Sequence, residues 1–113
     1  MADSIRNVSR DLVLAKRSIV ARRFWTRFRG MIGRDFSAFD AMVFPNCSSV
    51  HTFWMSRPID LVYLDRDDRV LGIRADAKPW RTFFGARGTR TIVEMAAGTL
   101  SEDLVREGDQ LAW

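Results

Sequence analysis

The residues of this chain that could do chemistry concentrate in positions 46–60, which hold the only Cys, the only His and one of the four Trp residues. Cys47, His51 and Met55 are spaced by four, and thiolate, imidazole and thioether together suit Cu(I), or Zn²⁺ with the first two. On a helix the three side chains could converge, since residues four apart lie about 5–6 Å apart. On a strand they would lie about 13 Å apart, too far to share a metal. The β-branched and aromatic neighbours favour a strand, so we predict no metal and no cofactor here.

A nucleophilic dyad of Cys47 and His51 is a second possibility in the same segment. Base activation of a thiol requires the imidazole within about 3 Å, which a straight strand does not allow. Residues 45–49 have a turn-like composition that would fold Cys47 back toward His51. A small thiol enzyme therefore stays open as an alternative.

Two carboxylates are expected to be buried. Asp60 opens an apolar strand, so its charge needs a cation or hydrogen-bond donors. Arg34 and Arg57 are the candidate partners, because a guanidinium pairs with a carboxylate through two parallel hydrogen bonds. Glu94 lies within another predicted strand, and its carboxylate would likewise need a cation or hydrogen-bond donors. The simplest expectation is a structural clamp between arginine and carboxylate.

A pocket for a small polar or anionic ligand is the functional alternative to that clamp, with Trp54 and Trp80 as its walls. We hypothesise that His51 and Asp60 line it together with Trp54, because a turn at 56–58 would bring the two flanking strands side by side. The predicted ligand-binding residues are His51, Trp54, Met55, Asp60, Arg34, Glu94 and Trp80.

Mostly strands are expected to position these residues. Runs of apolar and β-branched residues predict strands at 12–15, 18–21, 41–44, 50–55, 59–64, 70–73, 91–95 and 110–113. A hairpin or bulge is predicted at Lys16-Arg17, and a hairpin at the acidic turn 65–69. Residues 78–90 read as a long loop with aromatic anchors.

Two short helices are expected beside the strands. Phe24, Phe28 and Met31 recur at helical spacing, which predicts a helix over 23–32. The run Thr99-Leu100-Ser101-Glu102 fits a capping box and predicts a second helix that Gly108 would end. The fold class is therefore α+β: a compact, mostly antiparallel β domain, barrel-like or a curled sheet, with two helices packed on it. The predicted core comprises Phe24, Phe28, Met31, Val43, Phe44, Val62, Leu64, Ile92 and Leu104.

Length and composition indicate one ordinary globular domain. The chain has 113 residues, of which 47% are hydrophobic and 28% charged, so we expect a single domain over 1–113, with 1–10 as a candidate disordered tail. A signal peptide and a membrane-spanning run are not expected. The single Cys excludes an intrachain disulfide. These features predict a cytoplasmic protein.

The charge balance raises the question of nucleic acid. The isoelectric point is about 10.2 and the formal net charge is +4, which favours acidic partners. The predicted helix over 23–32 and its flanking arginines form the densest basic patch. Acidic residues are interleaved elsewhere along the chain, so we rank nucleic-acid binding through this helix last.

An ordered set of motifs resembles domain-of-unknown-function family 192, a group of small bacterial and archaeal proteins. The set comprises RGMIGR at 29–34, AMVF at 41–44, VHTFWM at 50–55, PIDLVYLD at 58–65, EMAAG at 94–98 and GD at 108–109. The resemblance covers about residues 20–111. It implies a compact, mostly β fold with short helices, and it carries no agreed activity.

Three functions follow in order of preference. The first is a non-enzymatic domain that binds a small polar or anionic molecule, or a protein partner, near residues 51–60. The second is a small enzyme that uses His51 with Asp60 or Cys47. The third is a nucleic-acid-binding module that uses the arginine-rich helix.

Overall fold

The computed structural model describes residues 3–22, 36–37 and 39–113. Nine strands follow one another along this part of the chain, and almost all of them coincide with apolar runs of the sequence. They are β1 (Asp3–Asn7), β2 (Leu12–Val20), β3 (Ala41–Pro45), β4 (Ser49–His51), β5 (Ile59–Leu64), β6 (Val70–Ala77), β7 (Thr82–Phe84), β8 (Thr91–Ala96) and β9 (Leu111–Ala112). β1 lies within residues 1–10, which were predicted to be a candidate disordered tail.

Seven strands form one sheet, in the order β6-β5-β8-β3-β2-β1-β9. Neighbouring strands are antiparallel except β2 and β3, which are parallel. The sheet curls until its two ends meet, because Arg69 and Gln110 form an antiparallel bridge just before β6 and β9. β4 and β7 pair with each other in a separate two-stranded sheet.

Asp109 forms hydrogen bonds at the point where the two ends of the curled sheet meet. Its Oδ2 accepts hydrogen bonds from Asn7 Nδ2 at 2.9 Å, Arg10 Nε at 2.8 Å and the Arg106 amide at 2.9 Å. Burial of the carboxyl opposes its charge, but the three donors and the charge of Arg10 outweigh burial and lower the pKa of Asp109.

The predicted α+β class is wrong for the described residues, which form an all-β fold with no helix in 3–22, 36–37 or 39–113. The predicted helix over 23–32 lies outside them. The second predicted helix is replaced by turns, because the Thr99 hydroxyl donates backward to Ala96 O at 2.5 Å and the Leu100 amide binds Asp60. The capping box therefore never forms. None of the described segments supplies a helix with the length and apolarity needed to cross a membrane.

Some of the predicted strands and turns were confirmed and others were wrong. Residues 12–15 and 18–21 do not form two strands but belong to one, and the bulge alternative at Lys16-Arg17 is confirmed by a register shift against β1. Both amides of this bulge donate to Asp40 Oδ2, at 3.0 and 3.1 Å. The hairpin across 65–69 is confirmed as β5–β6. The predicted loop 78–90 contains β7, and the predicted strand 50–55 is ordered as a strand only in β4.

The core lies on both faces of the seven-stranded sheet. One cluster packs against the two-stranded sheet and includes Met42, Met55, Leu61, Phe83 and Ile92. The other lies on the opposite face and includes Ile5, Val43, Val62, Val93 and Leu111. Of the predicted core, Val43, Phe44, Val62, Leu64 and Ile92 are buried, Leu104 is half-buried, and Phe24, Phe28 and Met31 lie outside the described residues.

Candidate functional site

An open groove of about 850 Å³ lies between β6 and β7. Tyr63 from β5 contributes to its lining, and the two strands that border it are not paired with each other. Half of the remaining lining residues are aromatic or cationic: Phe53, Arg74, Trp80, Arg81, Phe83 and Phe84.

Two neighbouring phenylalanines of β7 have opposite roles because successive strand residues point to opposite faces. Phe83 is buried in the core cluster, whereas 76% of Phe84 is exposed beside the groove. The guanidinium carbon of Arg74 lies 5.3 Å from the centre of the Phe83 ring, within cation–π range.

Four rings in contact form a continuous aromatic ridge, which we define as His51, Phe53, Trp80 and Trp54. The two middle rings, Phe53 and Trp80, line the groove. His51 stacks on Phe53 with ring centroids 5.3 Å apart, Phe53 lies 6.2 Å from Trp80, and Trp80 meets Trp54 edge-on at 4.8 Å. Phe53, Trp54 and Trp80 are 38%, 67% and 57% exposed. The ridge therefore presents ring surface to solvent.

Buried Thr52 holds the two loops that carry the ridge. Its amide donates to Arg81 O at 2.8 Å, its carbonyl accepts from the Trp80 amide at 2.9 Å, and its hydroxyl donates to Lys78 O at 2.6 Å. The Arg81 amide in turn donates to the Thr52 hydroxyl at 3.0 Å. This small side chain thereby fixes loop 52–55 against loop 78–81.

Trp54 and Trp80 both have left-handed backbone, with φ of 70° and 64°. The other non-glycine residues with positive φ in the described part are Asp or Asn, which tolerate this region through short polar side chains: Asp11, Asn46, Asp68 and Asp76. A bulky residue in the left-handed region costs about 1–2 kcal/mol. Such strain is characteristic of sites where function fixes a side chain's direction.

Positive charge borders the ridge. Arg74 and Arg81 line the groove and are exposed, while Glu107 is the acidic residue of the lining. Burial raises the pKa of the Tyr63 hydroxyl, and the charge of Arg74 partly offsets that rise. The phenol therefore stays neutral near pH 7 and offers the groove a hydrogen-bond donor.

Asp60 is buried, with 1% of its surface exposed, and its partners are backbone amides. Oδ1 accepts from the Asp76 amide at 2.8 Å, and Oδ2 accepts from the Leu100 amide at 3.1 Å. Within the described part of the chain Asp60 forms no ion pair with Arg57, and Arg34 lies outside that part. Asp60 therefore ties β5 to β6 and to the turn after β8.

Glu94 is also buried, 3% exposed, and its Oε2 accepts no hydrogen bond from any described residue. The pairing register sets it between Met42 of β3 and Leu61 of β5. Burial raises its pKa to about 8, so the carboxyl is largely protonated at neutral pH.

Cys47, His51 and Met55 occupy three separate environments. The Cys47 thiol is half-buried and donates to Ser49 O at 3.0 Å. His51 is exposed on the ridge, and Met55 is buried in the core cluster beneath the two-stranded sheet. Across residues 3–22, 36–37 and 39–113, no three His, Cys, Asp or Glu side chains are grouped to hold a metal.

Of the predicted ligand-binding residues, the structure gathers His51, Trp54 and Trp80 into the ridge and leaves Met55, Asp60 and Glu94 in buried positions away from it. The groove residues Phe53, Tyr63, Arg74, Arg81 and Phe84 were not among the predicted ligand-binding residues. One available signal was the pair Phe83-Phe84, since two successive aromatics on a strand point to opposite faces, and a strand covered on one face exposes one of them.

Together these features define a small domain whose curled, mostly antiparallel sheet supports an open groove lined by aromatic and arginine side chains. The sequence also assigns this domain to a particular family. The chain belongs to the DUF192 family, described as "Uncharacterized ACR", whose profile matches residues 8–113. The resemblance seen in the motifs is thereby confirmed.

Relatives of known sequence carry no assigned activity in their names. The UPF0127 protein of Thermococcus sibiricus is 28% identical over 112 residues, which span 95% of this chain and 72% of the relative. The UPF0127 protein of Thermococcus kodakarensis is 31% identical over 99 residues, which span 83% of this chain and 62% of that relative.

Two crystal structures share the fold. A protein of unknown function from Novosphingobium aromaticivorans superposes with a TM-score of 0.80 at 22% identity, covering 97% of this chain and 82% of that one. A putative transcription regulator from Sinorhizobium meliloti superposes with a TM-score of 0.76 at 19% identity, covering 96% and 89%. At these identities the likeness concerns the fold alone.

Proposed function

We propose that this protein is a non-enzymatic binding domain that takes an anionic ligand with a planar group, free or as part of a partner, in the groove between β6 and β7. The observation that carries the proposal is the exposure of Phe53, Trp80 and Phe84 in the groove lining, with exposed Trp54 packed against Trp80. Exposed apolar patches of this kind mark interaction sites, because leaving large rings in water is unfavourable.

The groove has the size and chemistry of a ligand site. Its volume of about 850 Å³ lies in the range of roughly 300–1,000 Å³ that is usual for small-molecule sites. Planar groups would stack on the ridge, and an anionic substituent would face Arg74 and Arg81. The Tyr63 hydroxyl would supply a neutral hydrogen bond.

An enzyme that uses His51 with Asp60 or Cys47 gains no support from this geometry. Proton transfer needs heavy atoms about 2.6–3.2 Å apart, and no hydrogen bond joins His51 to either residue in the described part of the chain. Both candidate partners instead bond to backbone groups, Asp60 to two amides and Cys47 to a carbonyl.

The proposed location is the cytoplasm, as predicted from the sequence, and the free thiol of Cys47 agrees with this location.

A nuclear magnetic resonance titration tests the proposal. Adding 2-naphthoate to ¹⁵N-labelled protein should shift the amides of Phe53, Trp80, Thr82 and Phe84. The cation 2-naphthylmethylammonium, of similar shape and opposite charge, should bind more weakly because Arg74 and Arg81 repel it.

Trp80→Ala should abolish the shifts, and Trp113→Phe serves as the matched control, because Trp113 binds Asp68 away from the groove. Shifts that scatter over the surface, or equal binding of the two probes, would contradict the proposal.

A further inference from the structure

We propose that the natural occupant of this groove is single-stranded nucleic acid, with bases stacked on the aromatic ridge and phosphates facing the arginines. This inference rests on the proposed function and names its ligand class. It also moves the candidate nucleic-acid surface from the arginine-rich segment before β3 to the part of the chain that contains β6 and β7.

The distribution of charge is the first support. Residues 71–90 carry five cationic side chains and one carboxylate, an excess of four that equals the formal net charge of the whole chain, +4. The five are Arg74, Lys78, Arg81, Arg87 and Arg90. By contrast, residues 99–109 carry four acids and one arginine. Two of the five, Arg74 and Arg81, line the groove itself, so part of this positive charge lies at its wall.

Most of these cations are free to meet phosphate. Lys78 pairs with Asp76, whereas Arg81, Arg87 and Arg90 are exposed and form no ion pair within residues 3–22, 36–37 and 39–113. Arg74 contacts the Phe83 ring rather than an acid. When such arginines neutralise the phosphates of a nucleic acid, the counterions condensed on it are released, and this release supplies a sequence-independent contribution to binding.

The ridge supplies the second support. Consecutive ridge rings lie 4.8–6.2 Å apart, and two of them stand on strained backbone that turns a large ring outward. Exposed rings combined with a positive groove are the features by which proteins bind single strands, because every unpaired base offers a planar face.

A single strand fits these features better than the other polyanions. In a duplex the base faces are stacked within the helix, so exposed tryptophans would gain nothing from it. An acidic peptide would satisfy the arginines but would place a planar group against the ridge only where its sequence supplies one. We therefore assign the site to single-stranded DNA or RNA and treat the acidic peptide as a competing outcome.

Fluorescence anisotropy with labelled oligothymidylate of 2, 4, 8 and 12 nucleotides tests the inference on the full chain. Affinity should rise with length and level off at a site size of roughly 4–16 nucleotides. The logarithm of the association constant should fall linearly with the logarithm of salt concentration, with a slope of about −0.7 for each phosphate contacted.

Variants of the ridge and the cations separate stacking from charge. Trp80→Ala should weaken binding about 5- to 150-fold, whereas Trp80→Phe should keep most of it because a stacking face remains. Arg81→Gln should reduce the magnitude of the salt slope by about 0.7. The charge-matched control is Arg17→Gln on β2, whose side chain pairs with Asp40 and not with the groove.

The outcomes distinguish this inference from the proposed function. If 2-naphthoate binds the groove but the oligonucleotides do not, or if a duplex or polyglutamate binds as tightly as the single strand, the inference is overturned and the proposed function stands. If neither naphthoate nor oligonucleotide binds, both fall. Tight binding of oligothymidylate that Trp80→Ala does not weaken would also overturn the assignment.

Discussion

Asp60 and Glu94 lie one register step apart on the adjacent strands β5 and β8, yet their carboxyl groups point to opposite faces of the sheet. The register pairs Asp60 with Met95 and Leu61 with Glu94, and paired residues share a face. On one face the Asp60 carboxylate accepts two backbone amides. On the other, Glu94 lies among apolar side chains and is stabilised by its proton.

The proton on Glu94 predicts an unusual pH dependence of stability. Its pKa is raised to about 8 by burial, so between pH 4.5 and 8 the folded chain holds a proton that the unfolded chain has released. Stability should therefore fall as pH rises through this window, at a slope approaching about 1.4 kcal/mol per pH unit. Glu94→Gln should flatten the slope in urea unfolding between pH 5 and 8. The exposed Glu102→Gln should leave it unchanged, and an equal slope in all three proteins would refute the assignment.

Removing Asp60 should cost stability and leave binding at the groove intact. In Asp60→Ala the amides of Asp76 and Leu100 lose their acceptors, and each unsatisfied donor costs about 1–3 kcal/mol when buried. We expect a loss of about 2–4 kcal/mol in urea unfolding. The exposed Asp103→Ala should change stability by less than about 0.5 kcal/mol. Lost naphthoate binding at full stability would place Asp60 in the site instead.

The left-handed backbone at Trp80 predicts that glycine is preferred to alanine there. With φ of 64°, alanine retains the steric cost of a Cβ, whereas glycine does not. Trp80→Gly should therefore be more stable than Trp80→Ala by about 1 kcal/mol. Phe84, an exposed strand residue beside the same groove, should show the reverse order for Gly and Ala. Thermal unfolding of the four variants decides, and the same order at both positions would show that Trp80 carries no strain.

His51 should matter for binding more than for stability. Its ring is exposed and contacts Phe53 at the end of the ridge. His51→Ala should shift the melting temperature by no more than about 2 °C, since surface substitutions change stability by about 0.5 kcal/mol. Leu61→Ala, in the core, should cost about 2–5 kcal/mol and serves as the positive control. Naphthoate affinity should drop in the first variant, and a loss of several degrees with unchanged affinity would make His51 a structural residue.

Hydrophobic patterning predicted the parts of this fold that depend on local sequence. β3, β5 and β8 were found because their apolar runs are buried on both faces, and β6 was found because an apolar run follows the acidic turn. The bulge at Lys16-Arg17 was found because two charged residues interrupt an otherwise apolar strand. β7 was missed because it has three residues between a proline turn and a glycine. Its strand character comes from pairing with β4, which the sequence does not display.

The candidate site was predicted in part for a related reason. The rings of His51, Trp54 and Trp80 were recognised as unusual, and they do lie on one ridge. The expected partnership of His51 with Asp60 did not appear, because β4 belongs to the two-stranded sheet while β5 lies in the main sheet between β6 and β8. The two residues are only nine positions apart in the sequence, but they belong to different sheets. Only the three-dimensional pairing decides such a question.

The closure of the sheet has a consequence for how quickly the chain can fold. Asn7 of β1 bonds to Asp109, 102 positions away, and β1 pairs with β9. Bringing such distant segments together costs loop entropy before any contact repays it, and folds dominated by non-local pairings typically fold in milliseconds to seconds. The β5–β6 hairpin can form early, whereas β9 can seal the ring only after the whole intervening chain is made. Until then the outer edge of β1 remains unpaired, and in that interval the chain is most exposed to aggregation.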